Sequence, residues 1–103
     1  MGVPESTPEQ RRAALEKAAA ARRIRAELKE LLKTGTLTLP KLLARADEDE
    51  LVAGMKVYSL VASLPGVGKV KAGRIMEEIG IADNRRIRGL NDRQRQALLD
   101  ELS

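Results

Sequence analysis

The 103 residues suffice for one domain and not for two independent cores. With no Cys, His, Trp or Phe and one aromatic, Tyr58, the chain excludes zinc fingers, iron–sulfur clusters, disulfide frameworks and a histidine base, and it lacks the stacking platform of single-stranded nucleic-acid modules. Its 19 Lys and Arg against 15 Asp and Glu leave a net charge of +4, which favours an anionic partner, and the basic excess falls in residues 1–35 and 56–90.

Thr7-Pro8-Glu9-Gln10 combines an N-cap residue, Pro at the first helical position and a Gln placed to close a capping box. A long helix is therefore predicted from Pro8 to Lys33, with Gly35 as its left-handed C-cap. Ile24, Leu28, Leu31 and Leu32 recur at helical spacing and are expected to face a core, whereas residues 9–23 offer only Leu15 and alanines among charges. The chain is accordingly expected to form a single domain, 1–103, in which residues 1–23 project from a body of 24–103. Arg11, Arg12, Lys17, Arg22, Arg23 and Arg25 are interspersed with Glu16 and Glu27, as on a solvated face, and leave open a contact that orders on binding.

Thr38 precedes a short predicted helix carrying Leu42 and Leu43, and the acidic run Asp47, Glu48, Asp49 and Glu50 is read as complementing the dipole of the next helix rather than as a metal site. Leu51, Val52 and Met55 predict one or two turns interrupted at Gly54. Val57, Leu60, Val61 and Leu64 predict a further helix stopped by Pro65. After Gly68, the residues Ala72, Ile75, Met76 and Ile79 define an apolar helix face that ends at Gly80, opposite Lys69, Lys71, Gly73 and Arg74. Asn91 and Gln94 repeat the capping pattern before a last helix with Leu98, Leu99 and Leu102 inside. Nothing alternates like a strand, so the expected fold is all-α, a long N-terminal helix plus a compact bundle of short ones, about five or six in total.

The segment Leu64-Pro65-Gly66-Val67-Gly68-Lys69-Val70-Lys71-Ala72 carries the chemistry. Glycines admit positive φ and let an anion approach without a Cβ in the way. The first amides of the following helix lack intrahelical partners, and Lys69 and Lys71 add charge-assisted contacts. Such a site grips phosphate and reads no base edge. It is not a nucleotide-binding loop, having neither the Lys-Ser/Thr ending nor a preceding strand. A second cluster, Asn84-Arg85-Arg86-Ile87-Arg88-Gly89-Leu90, suits a loop whose Ile87 packs inward while the guanidiniums face out to phosphate or a minor groove.

Three stretches, TPEQRRAALEKAAAARR, GMKVYSLVASLPGVGKVKAGRIMEEIGI and NRRIRGLNDRQ, together give a chain that resembles the actinobacterial integration host factor family. The glycine turn alone also recurs in helix-hairpin-helix repair proteins and in a small-subunit ribosomal protein. The resemblance implies a helix-two-turns-helix DNA-binding motif and a nucleoid-associated protein that binds duplex DNA through its backbone, bends and condenses it, and assists phage integration. By position it implicates Gly66, Val67, Gly68, Lys69 and Lys71 on one surface and Arg85, Arg86 and Arg88 on another, and Lys56 and Arg74 complete the candidate DNA-binding set. Gly73 departs from the longer basic side chain of that family, and Asn91-Asp92 from a more neutral stretch, which brings a carboxylate near the arginine loop.

The expected partner is double-stranded DNA, bound by a monomer. No catalytic residue, metal, cofactor, small-molecule substrate or membrane contact is expected. No apolar run approaches a membrane span and residues 1–20 lack a secretory pattern, so the expected location is the cytoplasm, on the nucleoid. Two other readings share the hairpin: an RNA- or ribosome-associated protein, since phosphate geometry alone admits A-form RNA, and a repair lyase or glycosylase, for which an aromatic wedge and a partner histidine are missing.

Overall fold

The computed structural model describes residues 7–102. Six α-helices follow in order: α1 Pro8–Thr34, α2 Leu39–Ala46, α3 Glu50–Ala53, α4 Val57–Ser63, α5 Gly68–Ile79 and α6 Asp92–Leu102, with a 3-10 turn Ile87–Gly89 before α6. The fold is all-α as expected. Its one β feature among the described residues is a single antiparallel bridge between Lys56 and Arg86.

Local signals set the helix ends. Thr7 accepts from the Gln10 amide at 3.1 Å while the Gln10 side chain accepts from the Thr7 amide at 3.0 Å, the reciprocal box that opens α1. Gly35 closes α1 at φ 81. Asn91 and Gln94 repeat the box at α6, with the Gln94 amide 2.7 Å from the Asn91 oxygen. Leu64 takes the extended conformation required before Pro65 and ends α4. At the end of α5 the Gly80 amide donates to Glu77 at 3.2 Å and the Ile81 amide to Met76 at 2.8 Å, a Schellman pair that turns Ile81 into the core.

The core gathers Leu28 and Leu32 of α1, Leu42 and Leu43 of α2, Val52, Met55, Leu60 and Val61, then Ala72, Ile75 and Met76 of α5, with Ile87 and Leu98 closing it. It is aliphatic throughout, with half-buried Tyr58 at its margin. The most extensive pairing is α4 against α5, and α1 packs on α4. Side-chain anchors supplement the apolar contacts. Buried Gln94 donates to the Gly80 carbonyl at 3.3 Å. Arg95 donates to Asp47 at 3.0 Å and to the Leu43 carbonyl at 2.9 Å, fastening α6 to α2.

Two expectations are corrected. Ile24 and Leu31 are 37% and 39% exposed rather than buried: of the apolar face of α1, a helix about 40 Å long at 1.5 Å per residue, the core covers only Leu28 and Leu32, with Leu31 on the flank of that stripe and Ile24 a turn beyond it. Residues 7–20 are exposed throughout, and the radius of gyration of 16.2 Å exceeds the roughly 13 Å of a compact chain this size. Thr38 is the N-cap of α2 as expected, without a side-chain capping bond. The acidic run does not act as one unit: Asp49 caps α3 through the Leu51 amide at 3.0 Å, whereas Asp47 pairs with Arg95.

Candidate nucleic-acid interface

Pro65 and the two glycines turn the chain from α4 into α5. Gly66 and Gly68 both lie at positive φ, 75 and 74, where a Cβ would meet no neighbouring atom. The glycines are therefore demanded by the backbone and not by crowding. Val67 between them is half-buried and packs on the core, so its side chain anchors the turn. Unlike α1, α3 and α6, helix α5 has no side-chain cap, which leaves its first amides and the positive end of its dipole facing solvent. The Tyr58 hydroxyl donates to the Lys69 carbonyl at 2.9 Å and fixes this first turn to α4.

The arginine loop is held from the other side. The Val57 amide donates to Arg85 at 2.9 Å and the Ile87 amide to Met55 at 3.1 Å, flanking the Lys56–Arg86 bridge. Ile87 is 3% exposed, inward as expected, while Arg85, Arg86 and Arg88 are exposed. Arg86 donates to the Gly54 carbonyl, and a Cβ on Gly54 would stand 2.8 Å from the Arg88 guanidinium. Arg85 folds over Gly89, donating to its carbonyl at 3.2 Å. Gly54 and Gly89 thus leave room for arginine side chains to lie across them.

Two adjoining concavities relate these parts. One, about 280 Å³, is lined by Arg25 and Lys29 of α1, Lys56, Ser59 and Arg86. The other, about 270 Å³, is lined by Lys29 and Lys33 of α1, Ser59, Ser63, Gly68 and Lys69. Lys29 and Ser59 border both, so Lys56 and Arg86 share a face with Gly68 and Lys69. Lys71 and Arg74 do not join them: both border a separate hollow beside Glu78 and Glu101. Gly73 leaves α5 open against Tyr58, 3.7 Å from where a Cβ would be.

The sequence pattern does not reveal Lys29 and Lys33 as neighbours of the glycine turn, or Arg25 as a neighbour of Lys56 and Arg86, since only the packing of α1 on α4 brings them there. Val70 is also unanticipated. At 79% exposed it is a large apolar side chain in solvent beside the turn, and its one sequence signal is a lone apolar residue between two lysines. Arg95, by contrast, is consumed in the fold.

Comparison with known proteins gives a consistent result. The model of the S13-like H2TH domain matches residues 32–102. The chain is 58% identical over 101 residues to integration host factor of Mycolicibacterium smegmatis and of Mycobacterium tuberculosis, covering 98% of this chain and 96% of each relative. It is 53% identical over 94 residues to integration host factor of Streptomyces coelicolor, covering 91% of this chain and 88% of the relative. Among solved structures it superposes at a TM-score of 0.83 and 48% identity on sIHF bound to an 8-base-pair palindromic DNA, over 85% of this chain and 99% of that one.

Proposed function

The chain belongs to the integration host factor family built on an S13-like H2TH domain, and from that membership we propose that it is a nucleoid-associated architectural protein that binds double-stranded DNA. It grips the phosphate backbone with little regard for sequence, bends and compacts the duplex, and so assists site-specific integration. The carrying observation is the shared face: uncapped α5 with Gly68 and Lys69 opens onto the same side as Lys56 and Arg86. Amide donors and the helix dipole seat one phosphate, and flanking cations hold its neighbours along the strand.

Within this reading Gly66, Gly68 and Lys69 form the first seat, with Val67 as its anchor, and Lys56 and Arg86 form the second. Arg85 and Arg88 flank the second seat, and Lys71 and Arg74 reach DNA only where it curls around the tip of α5. The protein acts as a monomer in the cytoplasm, with residues 7–23 projecting from a body of 24–102 while the ends of the expected division, 1–6 and 103, lie outside the described residues, and it performs no catalysis.

The test is affinity for a mixed-sequence duplex as a function of salt. Lys56→Gln/Lys69→Gln/Arg86→Gln is expected to make the slope of log K against log salt shallower by about 2–3, since each phosphate contact contributes roughly 0.9. An unchanged slope sinks the assignment. Preference for duplex RNA over duplex DNA of equal length would transfer the same face to an RNA partner.

A further inference from the structure

One side of α1 carries cations and no glutamate, which the mixed order of charges along the chain hides. Arg22, Arg25, Lys29 and Lys33 are spaced 3, 4 and 4 residues apart and so form one stripe along the helix. Glu9, Glu16, Glu27 and Glu30, spaced 7, 11 and 3, form another stripe on the far half. At 3.6 residues per turn the two stripes lie well over a quarter-turn apart. The ion pairs among the described residues are Arg45–Asp49 and Arg95–Asp47, neither of which involves the basic stripe.

The stripe also faces a defined direction. Arg25 and Lys29 border the hollow of Lys56 and Arg86, while Lys29 and Lys33 border that of Gly68 and Lys69. Arg22 continues the line beyond the body. Arg25 and Lys29 lay part of their stems on the protein, being half-buried, whereas Arg22 and Lys33 are exposed.

We propose that this stripe of α1 is a third wall of the DNA interface, and that the duplex backbone runs along it from the two seats on the body. The inference rests on the function proposed above and adds residues that neither the glycine turn nor the arginine loop contains. From Arg22 to Lys33 the stripe spans about 16 Å, the length of two to three phosphate steps along one strand, so a backbone lying parallel to α1 meets a cation at each step. Segregating the glutamates on the other side keeps like charges away from that path, and a helix face of one sign next to a groove of the same sign raises the local potential.

Salt-dependent affinity for a duplex of about two helical turns (~20 base pairs) separates the possibilities when two variants of equal net charge are compared. The on-stripe variant Arg22→Gln/Lys29→Gln/Lys33→Gln is expected to make the slope shallower by about 2–3 and to lower affinity at least tenfold near physiological salt. The off-stripe variant Arg12→Gln/Lys17→Gln/Arg23→Gln is expected to change the slope by less than one. Arg22→Gln/Lys33→Gln alters exposed positions only and should show about two-thirds of the on-stripe effect, with an unchanged thermal melt as the folding control. Equal effects of the two triples would overturn the stripe, reducing it to bulk charge. So would an unaltered slope in the on-stripe triple alongside a loss in the Lys56, Lys69 and Arg86 variant, which would leave the body interface standing. Absence of duplex binding by the unaltered protein at low salt would remove both.

Discussion

Gly68 and Gly73 sit in the same helix and answer to opposite rules. Gly68 opens α5 at φ 74 with open space where a Cβ would go, so its replacement is penalised only by the backbone, about 1–2 kcal/mol for an L-residue held left-handed. Gly73 lies inside the helix without a positive φ, and a methyl there would make ordinary contact with Tyr58 at 3.7 Å. Gly73→Ala is therefore expected to stabilise the protein by about 0.5–1 kcal/mol and to raise Tm by a few degrees. Gly68→Ala should lower Tm by about 4–15 °C, and thermal unfolding followed by circular dichroism distinguishes the two signs. A fall in Tm with Gly73→Ala would mean that the open space beside Tyr58 is stabilising in itself. The sequence marks both residues as glycine but cannot rank them, because the difference lies in φ and in a tyrosine from another helix.

Among the elements, α6 shows how far local reading extends. Its start was legible, since Asn91 and Gln94 act on each other within one turn, and the same holds for Thr7 with Gln10 and for Pro65 as the stop of α4. What the sequence could not give were the partners chosen across 30 or 50 residues. Arg95 reads as one more cation in a basic chain, yet it reaches Asp47 and the Leu43 carbonyl, 48 and 52 residues away. The Lys56–Arg86 bridge and the approach of Lys29 to both hollows are non-local in the same way. Ile24 and Leu31 fail as core residues because periodicity specifies a face and not how much of it is covered. The staple makes a prediction at this scale. Arg95→Ala removes bonds to a carbonyl and to a largely exposed carboxylate, which after solvent screening are together worth about 1–2 kcal/mol. It should lower the denaturant midpoint at unchanged m-value and leave the slope of DNA affinity against salt unaltered. A shallower slope would instead place Arg95 on the DNA.

For the whole molecule, the decisive quantity is whether its cations point one way or two. A protein with phosphate seats on opposite sides joins two duplexes, whereas one with both seats on a single concave side deforms the duplex it holds. Here Lys69 and Gly68 adjoin Lys56 and Arg86 through Lys29 and Ser59, while Lys71 and Arg74 look toward Glu78 and Glu101, whose carboxylates weaken that side as a second anion surface. The long axis of 52 Å exceeds one helical turn of DNA, about 34 Å, so a straight duplex can touch both seats and α1 only where the protein's profile allows. Bending a site of 20–30 base pairs costs of order 1–6 kcal/mol, within reach of several added phosphate contacts. One protein should therefore bend one duplex. Dyes at the two ends of a duplex of about 30 base pairs are expected to approach each other on titration, while free DNA should not be captured on beads carrying a second duplex. Capture at substoichiometric protein without end-to-end approach would show that the Lys71 and Arg74 side is an independent seat after all.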